Sequence, residues 1–123
     1  MRTLFLQAPS FDGFDGGARC QTKREIASFW YPTWLAQPAA LVENSKLINA
    51  PPHKISLADV VAEARNFDLA VVHTSTPSFA SDVKAIAAFK DANPALKVGL
   101  IGAKPAVNAE GTLKAVPVDF AAQ

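Results

Sequence analysis

Three short apolar runs, each followed by a turn of polar or small residues, dominate the hydrophobic pattern of the chain. They cover residues 3–9, 68–75 and 97–102. Each run is apolar without strict alternation, which is typical of strands buried on both faces of a parallel sheet. Segments with helical spacing lie between them. The pattern therefore predicts alternating strands and helices that form a doubly wound α/β sheet.

The first half of the chain predicts two strands with one helix between them. Strand one covers about residues 2–8, and a short second strand covers about residues 45–50, where Pro51 and Pro52 stop it. The helix between them covers about residues 33–44. Pro38 must kink or delay this helix, because proline has no N–H to donate within it.

Two further helices show a clear apolar stripe. Ser56 followed by Asp59 resembles a capping box, so we expect a helix to begin there. A third helix follows the strand at 68–75 and stops at Asn93–Pro94. The stripes that we expect to face the sheet are Leu57, Val60, Val61, Ala64 and Phe67 in the first of these helices, and Val83, Ile86, Ala87 and Phe89 or Lys90 in the second.

The last part of the chain predicts a short helix over about residues 108–115, weakened by Gly111, and a fifth strand that begins at 118–122. We expect the strand order 2-1-3-4-5, in a Rossmann-like (flavodoxin-like) sheet. The turns after strands one, three and four then meet at the carboxyl edge, where such sheets bind ligands. Because the sequence stops inside a strand, we expect residues 1–123 to be one domain of a longer chain.

Composition narrows the classes of partner. The chain has 123 residues, half of them apolar, and a net charge of +1. This charge gives no general attraction to nucleic acid or anionic membranes. No apolar run reaches the roughly 18–20 residues that span a bilayer. The single Cys20 cannot form an internal disulfide, which favours a reducing, cytoplasmic location. The oligomeric state stays open.

A long aromatic loop follows strand one and runs from Pro9 to about Tyr31. Loops of this length are uncommon in compact domains, and so many rings argue against simple disorder. One interpretation is that the rings around its end all close one end of the sheet. The other is that at least one ring stays exposed as an interface, with residues 11–19 mobile. The rings in question are Phe29, Trp30, Tyr31 and Trp34.

Several common motifs are missing from the sequence. It contains neither the phosphate-binding Gly-x-x-x-x-Gly-Lys-Ser/Thr run nor a Gly-x-Gly-x-x-Gly after strand one. A phospho-receiver domain needs acidic residues where 7–9 and 73–75 lie, and those positions hold none. Two distant histidines and one cysteine do not supply a zinc site. We interpret His73 as a structural residue, His53 as a solvated loop residue and Cys20 as an incidental thiol.

Two turns at the carboxyl edge are better candidates for a ligand site. Residues 74–78 supply four hydroxyl groups, and residues 101–105 supply small side chains that let a flat ligand approach the backbone. The structural alternative is helix capping at Ser78 or Ser81 and a tight turn at Gly102. Together the two turns predict one cofactor site, formed by Thr74, Ser75, Thr76, Gly102, Ala103 and Lys104.

An ordered series of short motifs resembles a known family. The chain is similar to the amino-terminal cobalamin-binding domain of cobalamin-dependent radical S-adenosylmethionine enzymes. Within that group it looks most similar to the hopanoid-biosynthesis branch, described as similar to the anaerobic magnesium-protoporphyrin IX monomethyl ester oxidative cyclase. The segments that carry the resemblance are 4–9, 35–42, 46–51, 68–76, 98–105 and 118–120.

The resemblance implies that cobalamin lies across the carboxyl edge, with its nucleotide tail near residues 74–76 and 102–103. Many members of the wider cobalamin-binding group carry Asp-x-His-x-x-Gly after strand one, and its histidine ligates cobalt. Here Phe14 stands where that histidine would fall, in the run 12–17. Phenylalanine cannot ligate a metal, so cobalt would lack a histidine from this motif. The family's Ser-x-Leu and Gly-Gly motifs are only partly echoed, at 75–77 and 102–103.

The radical reaction itself needs three cysteines to hold a [4Fe–4S] cluster, and this sequence has only Cys20. The resemblance therefore assigns the cluster and S-adenosylmethionine to a carboxyl-terminal radical domain, which acts on a tetrapyrrole or a hopanoid. Two alternatives remain open. The chain could be a vestigial Rossmann-like interaction module that binds no cofactor and positions the catalytic domain, or a free-standing flavodoxin-like nucleotide binder.

Overall fold

A computed structural model describes residues 1–9, 32–76, 78–102, 105, 109–115 and 118–122. In this part of the chain, five parallel strands form one sheet in the order β2-β1-β3-β4-β5. The predicted doubly wound α/β fold and its strand order are therefore confirmed. The strands are β1 (Thr3–Gln7), β2 (Ser45–Asn49), β3 (Leu69–His73), β4 (Lys97–Ile101) and β5 (Phe120–Ala121).

The helices flank the sheet in the positions that the sequence predicts, with one addition. The short helix α2 follows β2 directly, where the sequence predicts only a stop. Its prolines lie in its first turn, where a missing N–H costs no helical hydrogen bond. The helices described are α1 (Thr33–Leu41), α2 (Ala50–His53), α3 (Leu57–Ala64), α4 (Phe79–Ala92) and α5 (Ala109–Ala115).

Helix α1 ends earlier than the sequence predicts. It contains Pro38, as expected, but it stops at Leu41 rather than near Asn44. Val42 is extended, and Asn44 has a left-handed backbone with φ of 58°. Asparagine tolerates this conformation better than most residues. These two residues turn the chain from α1 into β2.

Both faces of the sheet are covered by helices, which explains the continuous apolar runs. On one face α3 and α4 pack against β1, β3 and β4, with Val60, Ile86 and Phe89 fully buried. On the other face Leu35 of α1 packs with Phe5 of β1. All five residues of β1 are buried. A strand buried on both sides has no solvent-facing positions, so its sequence does not alternate.

The predicted start of α3 is confirmed, and the predicted stripe of α4 needs one correction. The backbone N–H of Asp59 donates to Ser56 Oγ at 3.2 Å, as a capping box requires. In α4, Ala85 is fully buried, whereas Ala87, which the sequence analysis places on the buried stripe, is exposed. Ile86 and Ala87 are adjacent in sequence and so differ by a large rotation about the helix axis. The buried stripe passes through the former.

Asp119 fixes the start of β5 against β4. Its Oδ2 accepts hydrogen bonds from Lys90 Nζ at 2.8 Å and from the backbone N–H of Val98 at 2.7 Å. Lys97 Nζ lies 3.8 Å from Oδ1. The hydrogen bond from Lys90 lowers the pKa of Asp119 below its usual value, and burial opposes this effect. Phe120 then covers Gly99, where any Cβ atom would overlap the ring.

Candidate ligand-binding edge

The turns after β3 and β4 lie against each other at the carboxyl edge. The backbone N–H of Thr74 donates to the carbonyl of Ile101 at 2.9 Å. Gly102 has a φ of 116°, and a Cβ atom at this position would overlap the carbonyl oxygen of Thr74. Glycine is needed here because only its backbone adopts this conformation and approaches so closely. The two turns that the sequence analysis selects are thus in direct contact.

Below the surface of the β3–α4 turn, the hydroxyl groups cluster around the buried carboxylate of Asp82. Thr74 Oγ1 donates to Asp82 Oδ2 at 2.7 Å, and Ser78 Oγ donates to the same oxygen at 2.9 Å. Ser75 Oγ lies 2.8 Å from Ser78 Oγ, and the Ser75 N–H donates to Ser78 Oγ at 3.1 Å. Asp82 lies near the amino-terminal end of α4, where the helix dipole favours negative charge.

This hydroxyl cluster faces inward. Thr74 is 0% exposed, Ser75 1% and Asp82 4%, whereas Thr76 is exposed. The hydroxyl groups of Thr74 and Ser78 therefore stabilise a buried charge, which would be costly to bury alone. Of the described residues predicted to bind cofactor, Thr76 alone presents an exposed side chain. A ligand at this turn would contact that side chain and the backbone around it.

Ser78 does not cap α4 in the way that the structural alternative supposes. It occupies the position before the helix, but its side chain makes no capping hydrogen bond and bonds instead with Asp82. Ser81 is buried in the first turn of the helix. Gly102 does form the tight turn that this alternative proposes. The backbone conformation of Gly102 is thus explained by the turn that it forms, whether or not a ligand binds at this edge.

His73 and Trp34 form an aromatic contact beside these turns. Their ring centroids are 5.2 Å apart and the planes are tilted by 41°. Atoms Cδ2 and Nε2 of His73 would lie 3.0 Å from a Cβ on Gly102. Both rings are partly buried, and Trp34 packs on the cluster formed by Phe5, Leu35 and Val71. The contact is consistent with a structural role for His73.

Several predicted features lie outside the described residues. Ala103 and Lys104 of the predicted cofactor site are among them. So are Cys20, the run 12–17 with Phe14, and the predicted mobile segment 11–19. The loop rings Phe29, Trp30 and Tyr31 also lie outside, so Trp34 is the described member of that aromatic group.

No group of three or more His, Cys, Asp or Glu side chains in the described ranges is arranged to hold a metal ion. No helix in that same part of the chain is long and apolar enough to cross a membrane.

A second concave surface lies away from the carboxyl turns, and the sequence analysis does not predict it. It is a groove of about 670 Å³ between the edge strand β2 and helix α3. Lys46 and Glu63, which form an ion pair at 3.0 Å, line it together with Asp59 and His53. Its residues become neighbours only when α3 folds back along β2, so no local motif marks it.

Asp82 is the site residue that sequence reasoning missed. A weak signal exists, since Asp82 lies four residues after Ser78 and on the same helical face as Ile86 and Phe89. An acidic residue on an apolar stripe suggests a buried polar partner.

Comparison with family profiles, with curated proteins and with solved structures finds no match to this chain.

Proposed function

We propose that this chain is the cobalamin-binding domain of a radical S-adenosylmethionine enzyme related to the oxidative cyclase or to a hopanoid-modifying enzyme. The observation that carries the proposal is the contact between Gly102 and Thr74, which brings the turns after β3 and β4 together at the carboxyl edge. In doubly wound sheets ligands bind at this edge.

Backbone and small side chains at this edge support the proposal of a cobalamin site. Thr76 is exposed, and Gly102 keeps the adjoining backbone free of a side chain. Asp82 accepts hydrogen bonds from Thr74 and Ser78 and so holds the β3–α4 turn, and these residues would shape the surface without contacting cobalamin. When bound, cobalamin would supply methyl-transfer or electron-transfer chemistry to a catalytic domain. We further propose that the enzyme works in the reducing cytoplasm.

Titration with hydroxocobalamin, followed by its absorption spectrum, tests this proposal. We expect weak, saturable binding without a histidine-ligated cobalt signal. Thr76→Arg places a long side chain on the exposed turn and should weaken binding at least several-fold. Ala87→Arg is the matched control, because Ala87 is exposed on α4 away from the turn. Equal binding by wild type and Thr76→Arg would contradict this placement of cobalamin.

The inward-facing hydroxyl cluster favours a second candidate, an interaction module that binds no cofactor. Thr74 Oγ1 and Ser78 Oγ are committed to Asp82 and so do not reach a ligand in this structure. The module would position a catalytic domain through the same edge. The titration separates the two candidates, since a folded chain that shows no binding of hydroxocobalamin would support the module.

A further inference from the structure

Within the described ranges, β2 is an edge strand, and no described strand lies on its second side. Among the described strands, β1 alone pairs with it, with Thr3 aligned to Ser45. The N–H of Thr3 donates to the carbonyl of Asn44 at 3.3 Å. In a parallel ladder, alternate residues of a strand bond to the same neighbour. The main chain of Lys46 therefore faces β1, and that of Leu47 faces outward.

The groove beside β2 has the Lys46–Glu63 ion pair at one end and the carboxylate of Asp59 at the other. Lys46 lies near the amino end of β2, with half of its side chain exposed although it pairs with Glu63. Asp59 lies in the first turn of α3, at the carboxyl end of the groove, and is exposed. Both side chains line the groove beside β2, the outermost of the described strands on this side of the sheet.

Exposed apolar side chains adjoin the same edge on the opposite face. Leu41 is 87% exposed and Val42 39% exposed, and they stand just before β2 in the chain. Leu41 is the last residue of α1 and Val42 follows it, and α1 packs on this face of the sheet around Leu35. Leu41 and Val42 therefore add exposed apolar surface near β2, which pairs with β1 alone among the described strands.

We propose that two copies of this chain form a symmetric dimer by antiparallel pairing of β2 with β2. A two-fold axis at Leu47 pairs this residue with itself, so that each outward N–H donates to the carbonyl of the second copy. The same axis pairs Ser45 with Asn49 and produces one continuous sheet through both copies.

The charges and apolar residues favour a second copy over other occupants. Antiparallel pairing brings Lys46 of one copy towards the carboxyl end of the second copy's groove, where Asp59 lies, and the symmetry makes this contact twice. An exposed lysine on an edge strand normally opposes pairing. In the proposed dimer Asp59 of the second copy would face this lysine, which already pairs with Glu63 of its own chain. Leu41 and Val42 of each copy are placed beside the same pairing line, which suits an isologous interface.

The first test measures mass and amide exchange together on the 123-residue chain. Sedimentation velocity should show the mass rising from one copy to two as concentration increases. Over the same range, the N–H of Leu47 should become protected from hydrogen exchange. The N–H groups of Lys46 and Ile48 are the matched controls within the strand, because they already bond to β1 at all concentrations.

The second test exchanges the charges. Lys46→Glu or Asp59→Lys alone should weaken dimerisation about 3- to 30-fold, because each change removes two exposed ion pairs and adds repulsion. The double variant Lys46→Glu with Asp59→Lys should recover part of the affinity, because the pairs between the copies return while the ion pair of Lys46 with Glu63 within each copy stays lost. Lys114→Glu, on the exposed face of α5, should leave the affinity unchanged.

Three results would overturn the proposal. The first is a mass of one copy at the highest concentrations that stay soluble. The second is a dimer in which Leu47 exchanges as fast as in the monomer, which would place the interface elsewhere. The third is protection of Leu47 at one-copy mass, which would mean that another part of this chain or a bound peptide covers the edge.

Discussion

A single carboxylate, Asp82, organises the turn at the end of β3. It accepts hydrogen bonds from Thr74 and Ser78 while being almost fully buried. Charged hydrogen bonds of this kind are short and stronger than neutral ones. The turn therefore has one preferred shape, and the backbone at Ser75 and Thr76 is presented to the carboxyl edge in a fixed way.

Asp82→Asn should destabilise the protein by about 2–3 kcal/mol, since a neutral amide replaces the charged acceptor of two buried hydrogen bonds. Urea unfolding measures the change. The control is Asp91→Asn, which alters an exposed aspartate on the same helix and should stay within about 0.5 kcal/mol of wild type. A loss no larger than that of the control would contradict the role of Asp82.

The lowered pKa of Asp119 makes the stability of the protein depend on pH. Its pKa is lowered in the folded state, mainly by the hydrogen bond from Lys90. Its stabilising contribution is therefore complete above the unfolded pKa of about 3.9 and is lost as pH falls through the lower folded pKa. Asp119→Asn should lower the free energy of unfolding by about 1 kcal/mol at neutral pH and reduce its fall in acid.

Urea unfolding between neutral pH and acid tests this prediction for Asp119. Glu110→Gln is the control, because its ion pair with Lys114 is exposed. An Asp119→Asn variant whose stability falls with acid as steeply as that of wild type would contradict the assignment.

The positions of most strands and helices were predictable from hydrophobic spacing. A buried helix face shows in the sequence as apolar residues three or four positions apart, and a buried strand shows as a continuous apolar run. Spacing predicted β1 and the capped helix α3 well. It missed α2, because prolines that stop a strand also fit the first turn of a helix. It overextended α1, whose end depends on the left-handed backbone of Asn44.

The turn at Gly102 gives the clearest prediction about a connection between strands. Gly102→Ala should cost at least about 2 kcal/mol, because a positive φ disfavours alanine and its Cβ would overlap the carbonyl of Thr74. Gly111→Ala, inside α5, should instead stabilise by about 0.5–1 kcal/mol. Thermal and urea unfolding compare the two variants. Equal effects would contradict the special role of Gly102.

Topology was predictable from the sequence, whereas much of the site chemistry was not. Alternating apolar runs and helices predicted the parallel order, and the order in turn placed Thr74 and Gly102 at one edge. The direction of the hydroxyl groups depends on Asp82, which approaches them only when α4 packs on the sheet. The groove beside β2 likewise requires α3 to fold back along an edge strand.

Chemical-shift mapping with hydroxocobalamin tests the proposed function most directly. The amide signals of the folded chain would be followed as the cofactor is added. We expect the largest changes at Ser75, Thr76 and Gly102, with little change along β2 and α3. Changes confined to the groove beside β2, or none at concentrations that saturate a weak site, would contradict a cobalamin site at the carboxyl edge.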